Sequence, residues 1–390
     1  MISVSEALSA VLKLGAPLDI ETVPLAEADG RVLAQDVSAT RNQPPFAASA
    51  MDGYAISTID VVAGDQFTVI GEAAAGHRFD GAVGAGQAVR IFTGAPMPDG
   101  AERVIIQEDV TRGGDMMTLN ANLDRGHHVR PAGGDFKVGD VITAPRRLSP
   151  SDVALLASMN VAEVPVRRRP IVAIIATGDE LVSPGETPRD DQIIASNSLG
   201  LAAMFRSNGA LTRLLPIAKD TPSSLEMALS LAKGADLLVT IGGASVGDHD
   251  IVAEVAGNLG LERQFYKVAM RPGKPLMAGR IAGMAMIGLP GNPVSSMVCG
   301  ELYIRPLLDR FLGLPAGPRR RIALPLAAPL GANSLREHYM RAIIEDGTVR
   351  ALERQDSSLL TVLAQANALI VRPPNDPDRA VGDTAEVIAL

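Results

Sequence analysis

The sequence predicts a multidomain protein in which a parallel-sheet α/β domain is accompanied by β-rich domains. The chain has 390 residues, which is too long for one ordinary domain and indicates about two to four. From residue 170 onward, short apolar runs alternate with helical patterns, as in a parallel sheet covered by helices. Residues 55–145 and 316–390 instead contain short β-like runs separated by glycines and turn residues.

The first 170 residues are predicted to be mainly β-structure with a helix at each end. Residues 3–13 have helical periodicity, and residues 25–34 resemble a short helical turn leading into a strand. A helix is predicted again over residues 151–159, before a boundary at residues 167–170. The predicted strands between them cover residues 67–70, 88–91, 103–107 and 116–119, with a hairpin turn at 112–115.

The α/β pattern and the C-terminal pattern predict further elements. Buried strands are predicted over residues 171–176 and 237–241, and further strands over 211–217 and 283–287, with helices over about 197–207 and 221–233 and after 292. The C-terminal strands are predicted over residues 339–345, 348–352, 368–371 and 385–390, with a turn at Asp346-Gly347. This last region is expected to form a small barrel or sandwich.

Composition excludes several classes of protein. A net charge of −8 argues against nucleic-acid binding, which normally needs a basic excess. We find no run of eighteen apolar residues and no signal-peptide pattern, so we expect a cytoplasmic protein with no membrane span. The single cysteine, Cys299, excludes an intrachain disulfide and is expected to be buried. The five histidines lack metal-ligand spacing.

Two neighbouring segments predict a site for an anion. Residues 287–296 indicate a strand, a proline-stiffened loop and a helix, with Asn292 as N-cap and Pro293 at the first helical position. Backbone N–H groups at such a helix start favour anions. Lys267, Arg271 and Lys274 lie just upstream on a segment interrupted by prolines. They are either an ordinary solvated face or cations for an oxyanion or a phosphate, and we favour the second interpretation.

Acidic residues follow three of the predicted strands. Asp179 and Glu180 follow the first, Asp220 the second, and Asp250, with Asp248 beside it, the third. Such acids are often helix caps or solvated loop residues, but ligands of parallel sheets bind at the carboxyl ends of the strands. A magnesium–phosphate site requires carboxylates beside anion-binding loops. The glycine-rich residues 242–247 contribute a loop there, although they match neither the Walker A nor the dinucleotide-binding pattern.

Five segments, in order along nearly the whole chain, resemble the molybdopterin molybdenumtransferase (MoeA) family, which includes the gephyrin E domain. They are Ser-Ala-Met-Asp-Gly-Tyr-Ala (49–55), Thr-Gly-Ala-Pro (93–96), Ala-Thr-Gly-Asp-Glu-Leu (176–181), Gly-Gly-Ala-Ser-Val-Gly-Asp-His-Asp (242–250), and Pro-Gly-Lys-Pro (272–275) with Gly-Leu-Pro-Gly-Asn-Pro-Val-Ser (288–295).

The resemblance implies an architecture and an activity. The implied domains are an extended discontinuous domain (1–50 and 140–168), an inserted β domain (51–139), a molybdopterin-binding α/β domain (169–315) and a C-terminal β-barrel (316–390). The implied enzyme is a homodimer whose active cleft takes residues from both subunits. It inserts molybdate (tungstate in some organisms) into adenylylated molybdopterin with Mg²⁺ and releases AMP. Implied partners are the molybdopterin adenylyltransferase and other cofactor-biosynthesis proteins.

The resemblance also assigns site residues position by position. Asp52, Glu180, Asp220 and Asp250 are the predicted catalytic acids, and the last three are also predicted to bind magnesium. Together with the loop residues, the predicted substrate-binding set comprises Thr93, Asp135, Gly178, Asp179, Gly243, Ser245, Lys267, Arg271, Lys274, Pro290, Asn292, Pro293, Ser295, Arg341 and Ser357.

Two departures and two alternative functions accompany the resemblance. Arg271 stands where relatives often have lysine, and Asp356 precedes Ser357 where glycine is expected. One alternative is molybdopterin adenylyltransferase activity, whose enzymes consist mostly of the α/β domain alone. The other is a non-catalytic, gephyrin-like scaffold. The additional β modules argue against the first, and the retained acidic and cationic residues argue against the second.

Overall fold

The computed structural model describes residues 1–242, 251–258 and 260–390, without the side chains of 251–254. The first elements are α1 (Val4–Leu12), β1 (Ile20–Pro24), β2 (Val32–Leu33), β3 (Val37–Ser38), β4 (Ala48–Ser49), β5 (Gly53–Ile56), β6 (Gln66–Ala73), β7 (Gln87–Ile91), β8 (Arg103–Ile106), β9 (Val110–Gly113), β10 (Met116–Leu119), β11 (Val129–Arg130), β12 (Val141–Ile142), β13 (Arg146–Arg147), α2 (Pro150–Ser158) and β14 (Glu163–Arg167).

Capping boxes begin both α-helices in this part of the chain. The Ser3 hydroxyl accepts the Glu6 N–H before α1, and the Ser149 hydroxyl accepts the Asp152 N–H before α2. In each box the acid accepts the N–H of the serine in return, so two N–H groups outside the helical hydrogen-bond pattern are satisfied. The predicted helices over residues 3–13 and 151–159 are confirmed within one residue at every end.

Strands that are distant in sequence form the discontinuous part. Its main sheet has the order β1-β14-β2-β13, and β12 pairs with β3. Residues 20–38 therefore pair with residues 141–167, and the chain between them forms a separate sheet in the order β8-β5-β7-β6-β10-β9. The predicted turn at residues 112–115 joins β9 to β10. Helix α1 does not share this core, because Val4, Leu8 and Val11 pack into the core of the α/β domain.

The α/β region continues the chain to residue 311. Its elements are β15 (Ile171–Ala176), β16 (Leu181–Val182), β17 (Ile193–Ile194), α3 (Asn197–Ser207), β18 (Leu211–Leu214), α4 (Pro222–Leu231), β19 (Leu237–Ile241), α5 (Ile251–Asn258), β20 (Glu262–Tyr266), β21 (Met270–Arg271), β22 (Met277–Ile281), β23 (Met284–Leu289), α6 (Pro293–Cys299), a π-helical turn (Gly300–Ile304) and α7 (Arg305–Phe311).

The central sheet has the order β18-β15-β19-β23-β22-β20. Strands β18, β15, β19 and β23 are parallel, as the alternation of strands and helices predicts. Successive residues of β15 point to opposite faces: Ile174 packs with α1, α3, α6 and α7, and Ile175 packs with α4 and α5. The antiparallel strands β22 and β20 extend one edge and were not predicted.

The C-terminal region forms a barrel. Its elements are β24 (Ile322–Pro325), β25 (Glu337–Glu345), β26 (Thr348–Ala351), α8 (Leu360–Gln365), β27 (Ala368–Arg372) and β28 (Thr384–Ala389). The strands pair in the order β25-β27-β28-β24, β26 pairs with β25, and a bridge between Leu326 and Val349 closes the circuit. Of the barrel and the sandwich, the barrel is therefore confirmed. Strand β21 pairs with β25 and thereby joins the α/β region to the barrel.

Candidate active site

A cavity of about 940 Å³ lies at the carboxyl ends of β15, β19 and β23. This is the edge at which parallel sheets bind ligands. Backbone and side chains from the turns after these strands form its wall. Its lining residues include Gly178, Glu180, Asn197, Asp220, Gly242, Pro275, Pro290, Asn292 and Pro293.

Two of the predicted acids face this cavity. Glu180 and Asp220 both line it and are both exposed. The Asp179 Oδ1 atom accepts the backbone N–H of Asp220 at 3.3 Å, so the turns after β15 and β18 are hydrogen-bonded to each other. Asp250, Gly243 and Ser245 lie outside the described residues. In the described part of the chain, no group of three or more acids, histidines or cysteines is arranged to hold a metal ion.

Two glycines are required by the backbone at this end of the sheet. Gly178 has a φ of +147°, and a Cβ there would lie 2.4 Å from a carboxylate oxygen of Glu180. Gly242 has a φ of +94°, and a Cβ there would lie 2.6 Å from the carbonyl oxygen of Thr177. Because glycine has no side chain, the two turns can approach each other, and the Glu180 carboxylate can lie close to the Gly178 backbone.

The loop before α6 connects the α/β region to the barrel. Helix α6 begins at Pro293, as predicted, but the Asn292 side chain does not cap it. The Asn292 amide donates instead to the Ser357 hydroxyl at 3.1 Å, and the Val294 N–H donates to the Ser357 carbonyl at 3.0 Å. The Ser296 hydroxyl donates to the Pro290 carbonyl and holds the loop closed. The sequence predicts Asn292 as a helix cap, but in the structure its side chain bonds to the barrel residue Ser357 instead.

A second cavity of about 320 Å³ adjoins the first, since Pro275 and Asn292 line both. Its cations are Arg271, Lys274 and Arg336, and Asp356 is the carboxylate among its lining residues. The hydroxyl-bearing residues Ser295 and Ser357 also line it. Positive charge and hydroxyl donors around a small volume favour an oxyanion.

Arg341 does not line this second cavity but is bonded to Asp356, which does. It is fully buried, and its Nη2 donates to the Asp356 carbonyl at 3.2 Å. Its Nε and Nη1 atoms have no hydrogen-bond partner among the described residues. Burial and the neighbouring Arg271 lower the pKa of Arg341 to about 10, while Asp356 acts in the opposite direction. A buried guanidinium with unpaired donors is costly, and an anion would offset that cost.

His338 adds a neutral group to this cationic surrounding. It is aligned with Arg271 on β21 and with Arg372 on β27. Its side chain is buried, and its Nε2 atom has no partner in the part of the chain that the structure describes. Burial, and then the charge of Arg271, lower the pKa of His338 to about 4. His338 is therefore uncharged near neutral pH.

The predicted row of three cations is divided in the structure. Arg271 and Lys274 line the second cavity, but Lys267 is not among the lining residues described. The Lys267 ammonium lies 5.0 Å from the centroid of the Tyr266 ring. Lys267 has a positive φ of 74°, and its N–H donates to the Leu276 carbonyl at 3.0 Å. A sharp backbone turn thus separates its side chain from the other two cations.

The predicted residues of the inserted β domain lie apart from both cavities. Asp52 precedes β5 and Thr93 follows β7; the Thr93 N–H and hydroxyl donate to Asp52 Oδ1 at 2.8 and 2.7 Å. These bonds lower the pKa of Asp52. Asp135 is exposed, and its N–H donates to the Gln43 carbonyl at 2.9 Å. Among the described lining residues of the two cavities, none comes from residues 51–139.

Several site residues were missed by the sequence-based prediction. Arg336 lines the second cavity, and its Nη1 donates to the Met270 carbonyl at 3.3 Å. Asn197 lines the first cavity, and its amide donates to the Gly291 carbonyl at 2.7 Å. Asn197 begins a predicted helix, so the position after a strand-end turn was an available signal. Arg336 belongs to no local motif that could have indicated it.

Two other predictions concern features that do not line either cavity. Cys299 is fully buried, and burial raises the pKa of its thiol, so it is an inert core residue as predicted. Among the described helices, none combines the length and apolar character needed to cross a bilayer.

The fold and cavities define a multidomain protein whose parallel α/β domain has a cleft with cationic lining residues next to a β-barrel. The sequence matches three family models in succession: "MoeA N-terminal region (domain I and II)" over residues 2–160, "Probable molybdopterin binding domain" over 173–310 and "MoeA C-terminal region (domain IV)" over 323–390. These matches cover most of the chain.

Individual relatives agree with the family match. The chain is 35% identical to molybdopterin molybdenumtransferase 2 of Mycobacterium tuberculosis, over 94% of each chain. It is 34% identical to the molybdopterin molybdenumtransferase of a Nostoc species, over 97% of this chain and 91% of the relative. The crystal structure of the molybdopterin biosynthesis protein MoeA of Pyrococcus horikoshii OT3 superimposes with a TM-score of 0.85 at 28% identity, over all of both chains. The chain belongs to the MoeA family of molybdopterin molybdenumtransferases.

Proposed function

We propose that the protein is a molybdopterin molybdotransferase, an enzyme of molybdenum cofactor biosynthesis that inserts molybdate into adenylylated molybdopterin and releases AMP. Family membership along the whole chain supports the reaction class. The observation that carries the assignment of roles is the contact between the two cavities at Pro275 and Asn292. It provides adjoining places for a large phosphate-bearing ligand and a small oxyanion.

The larger cavity is proposed to hold the pterin and its phosphates. Glu180 and Asp220 fit a magnesium site, because both carboxylates are exposed at the cavity and Mg²⁺ takes one or two carboxylates together with phosphate oxygens and water. Asp250 remains a predicted third ligand. When bound, the ion would neutralise negative charge on the phosphates during loss of AMP. Asp179 contributes by orienting the Asp220 turn through its hydrogen bond.

The smaller cavity is proposed to hold molybdate before its transfer. Arg271 and Lys274 supply charge, and Arg341 supplies buried donors that lack protein partners among the described residues. The hydroxyls of Ser295 and Ser357 would complete the coordination of the oxyanion. A dianion here would face cationic groups, and hydrogen bonds between charged partners are stronger than those between neutral ones. Asn292, which lines both cavities, would stand between the oxyanion and the pterin.

A second copy of the chain is proposed to complete the cleft. Asp52, Thr93 and Asp135 are predicted site residues, yet they lie on or beside the inserted β domain, away from the described cavity walls. An isologous homodimer would bring this surface of one subunit to the α/β domain of the other. Molybdopterin adenylyltransferase and other cofactor-biosynthesis proteins are the proposed partners that supply or receive the pterin.

The function is tested by incubating the purified protein with adenylylated molybdopterin and magnesium, with and without molybdate. The expected result is release of AMP that depends on molybdate. Formation of adenylylated molybdopterin from ATP would instead identify an adenylyltransferase. Binding without either reaction would identify a scaffold.

Lys274→Ala is expected to raise the KM for molybdate by roughly tenfold or more, because one charge-assisted contact is lost. At high ionic strength the KM of both proteins should rise, and the fold difference between them should become smaller, since salt also screens the attraction of Lys274 in the wild type. The measurement is the molybdate dependence of AMP release at two salt concentrations. Lys233→Ala also removes one positive charge, but Lys233 precedes the amino end of β19, whereas the cavities lie beyond the carboxyl ends of the strands. This variant should leave the KM unchanged. An unaltered molybdate dependence in Lys274→Ala would mean that this segment is only a structural turn.

A further inference from the structure

Arg90 occupies an unusual position in the inserted β domain. Its guanidinium carbon lies 5.1 Å from the centroid of the Tyr54 ring and 4.7 Å from that of the Phe92 ring. Its Nη1 donates to the Gly53 carbonyl at 3.1 Å, and its Nη2 donates to the Gln107 Oε1 at 2.7 Å. A planar cation with ring contacts and two directed hydrogen bonds is held in one orientation.

The residues that Arg90 contacts lie near Asp52 or Thr93 in the sequence or are hydrogen-bonded to Asp52. Gly53 directly follows Asp52, and Phe92 directly precedes Thr93. Gln107 is connected to the same place, because its backbone N–H donates to the Asp52 carbonyl at 3.0 Å. Arg90 therefore links three segments at the end of the sheet where β5, β7 and β8 meet.

Only one of the two oxygens of the Asp52 carboxylate accepts hydrogen bonds from the described residues. Thr93 donates both of its hydrogen bonds to Oδ1. Oδ2 accepts none from the described residues. The Thr93 bonds, and to a smaller extent the charge of Arg90, lower the pKa of Asp52, which is therefore ionised. An ionised carboxylate fixed through one oxygen leaves the other available to a group outside this domain.

We propose that Arg90 is a positioning residue that fixes the Asp52–Thr93 pair in the geometry required for the transfer reaction. This inference rests on the proposed function, in which Asp52 acts in the cleft. Arg90 acts through the backbone and rings that flank the pair. Small displacements of a reacting group have large kinetic effects, so loss of Arg90 should affect turnover more than substrate binding. Lysine can replace it only in part, because an ammonium keeps the charge but lacks the planar pair of donors of a guanidinium.

The test compares Arg90→Gln and Arg90→Lys with Asp52→Asn in the full-length enzyme. Arg90→Gln should lower kcat by roughly ten- to a hundredfold with an unchanged KM for molybdate, and Arg90→Lys should recover only part of the loss. In the Asp52→Asn background, Arg90→Gln should cause no further loss, because both changes act through one carboxylate. Additive losses, or a wild-type kcat in Arg90→Gln, would overturn the inference.

A control and a second variant keep the outcome interpretable. Arg103→Gln removes another arginine of the same domain that binds backbone carbonyls, those of Ile59 and Asp124. It should lower the Tm and leave kcat unchanged; an equal fall in kcat would attribute the Arg90 effect to general destabilisation. If Arg90→Gln does not fold, Gln107→Met decides, since it removes one acceptor of Arg90: a reduced kcat supports the inference and a wild-type kcat refutes it. Full activity in Asp52→Asn would instead refute the proposed role of Asp52 itself.

Discussion

Replacing Asp220 by asparagine is expected to lower kcat for molybdate-dependent AMP release by on the order of 100-fold. Asparagine has nearly the same shape but no charge, so it cannot neutralise a cation that binds phosphate. The backbone N–H of residue 220 keeps its bond to Asp179, and the turn should therefore remain folded. The measurement is kcat as a function of magnesium concentration, together with the Tm of wild type and variant.

A matched control separates this effect from a general loss of negative charge. Asp191 is an exposed acid in the segment between β16 and β17, and its carboxylate pairs with Arg189 at 3.1 Å rather than facing the cavity. Asp191→Asn should leave the magnesium dependence of kcat unchanged. If Asp220→Asn retained full magnesium-dependent turnover, Asp220 would not be a magnesium ligand, and the acids at the strand ends would be ordinary loop residues.

The position of Asp220 was predictable because it depends on a local pattern and a general rule. Buried apolar runs such as Ile171–Ala176 and Leu237–Ile241 identify parallel strands. The carboxyl ends of parallel strands share one edge, so the residues that follow them must lie near one another. Glu180 and Asp220 therefore line one cavity, although they are forty residues apart in the numbering.

The second cavity depends on a contact that leaves no local pattern in the sequence. Strand β21 contains only Met270 and Arg271, and its pairing with β25 brings barrel residues to the α/β domain. Arg336 and His338 reach the cavity region through this pairing. Two residues are too few to show periodicity, and nothing near Arg336 indicates a binding loop. The resemblance supplied Arg341 and Ser357, whereas residue patterns alone indicated neither.

Local patterns also gave two interpretations that tertiary structure modified. Spacing grouped Lys267 with Arg271 and Lys274, but the positive φ of Lys267 turns its side chain towards Tyr266. Asn292 stands at the predicted N-cap position, but Ser357 of the barrel provides a hydroxyl acceptor for its amide. In both cases the backbone position was correct. The side-chain direction depended on neighbours that are distant in sequence.

Mixing two strongly impaired variants, Asp52→Ala and Asp220→Asn, is expected to restore part of the activity. In a homodimer whose clefts combine Asp52 of one subunit with Asp220 of the other, each heterodimer has one intact cleft and one doubly altered cleft. Random exchange makes half of the dimers heterodimers, so about a quarter of all clefts should be intact. The measurement is molybdate-dependent AMP release after subunit exchange, demonstrated with differently tagged chains.

Mixing Glu180→Gln with Asp220→Asn should restore nothing, because both residues line the same cavity and every cleft then carries one alteration. Failure of Asp52→Ala and Asp220→Asn to complement after proven exchange would mean that each cleft is built from a single chain, and that Asp52 acts within its own subunit or not at all.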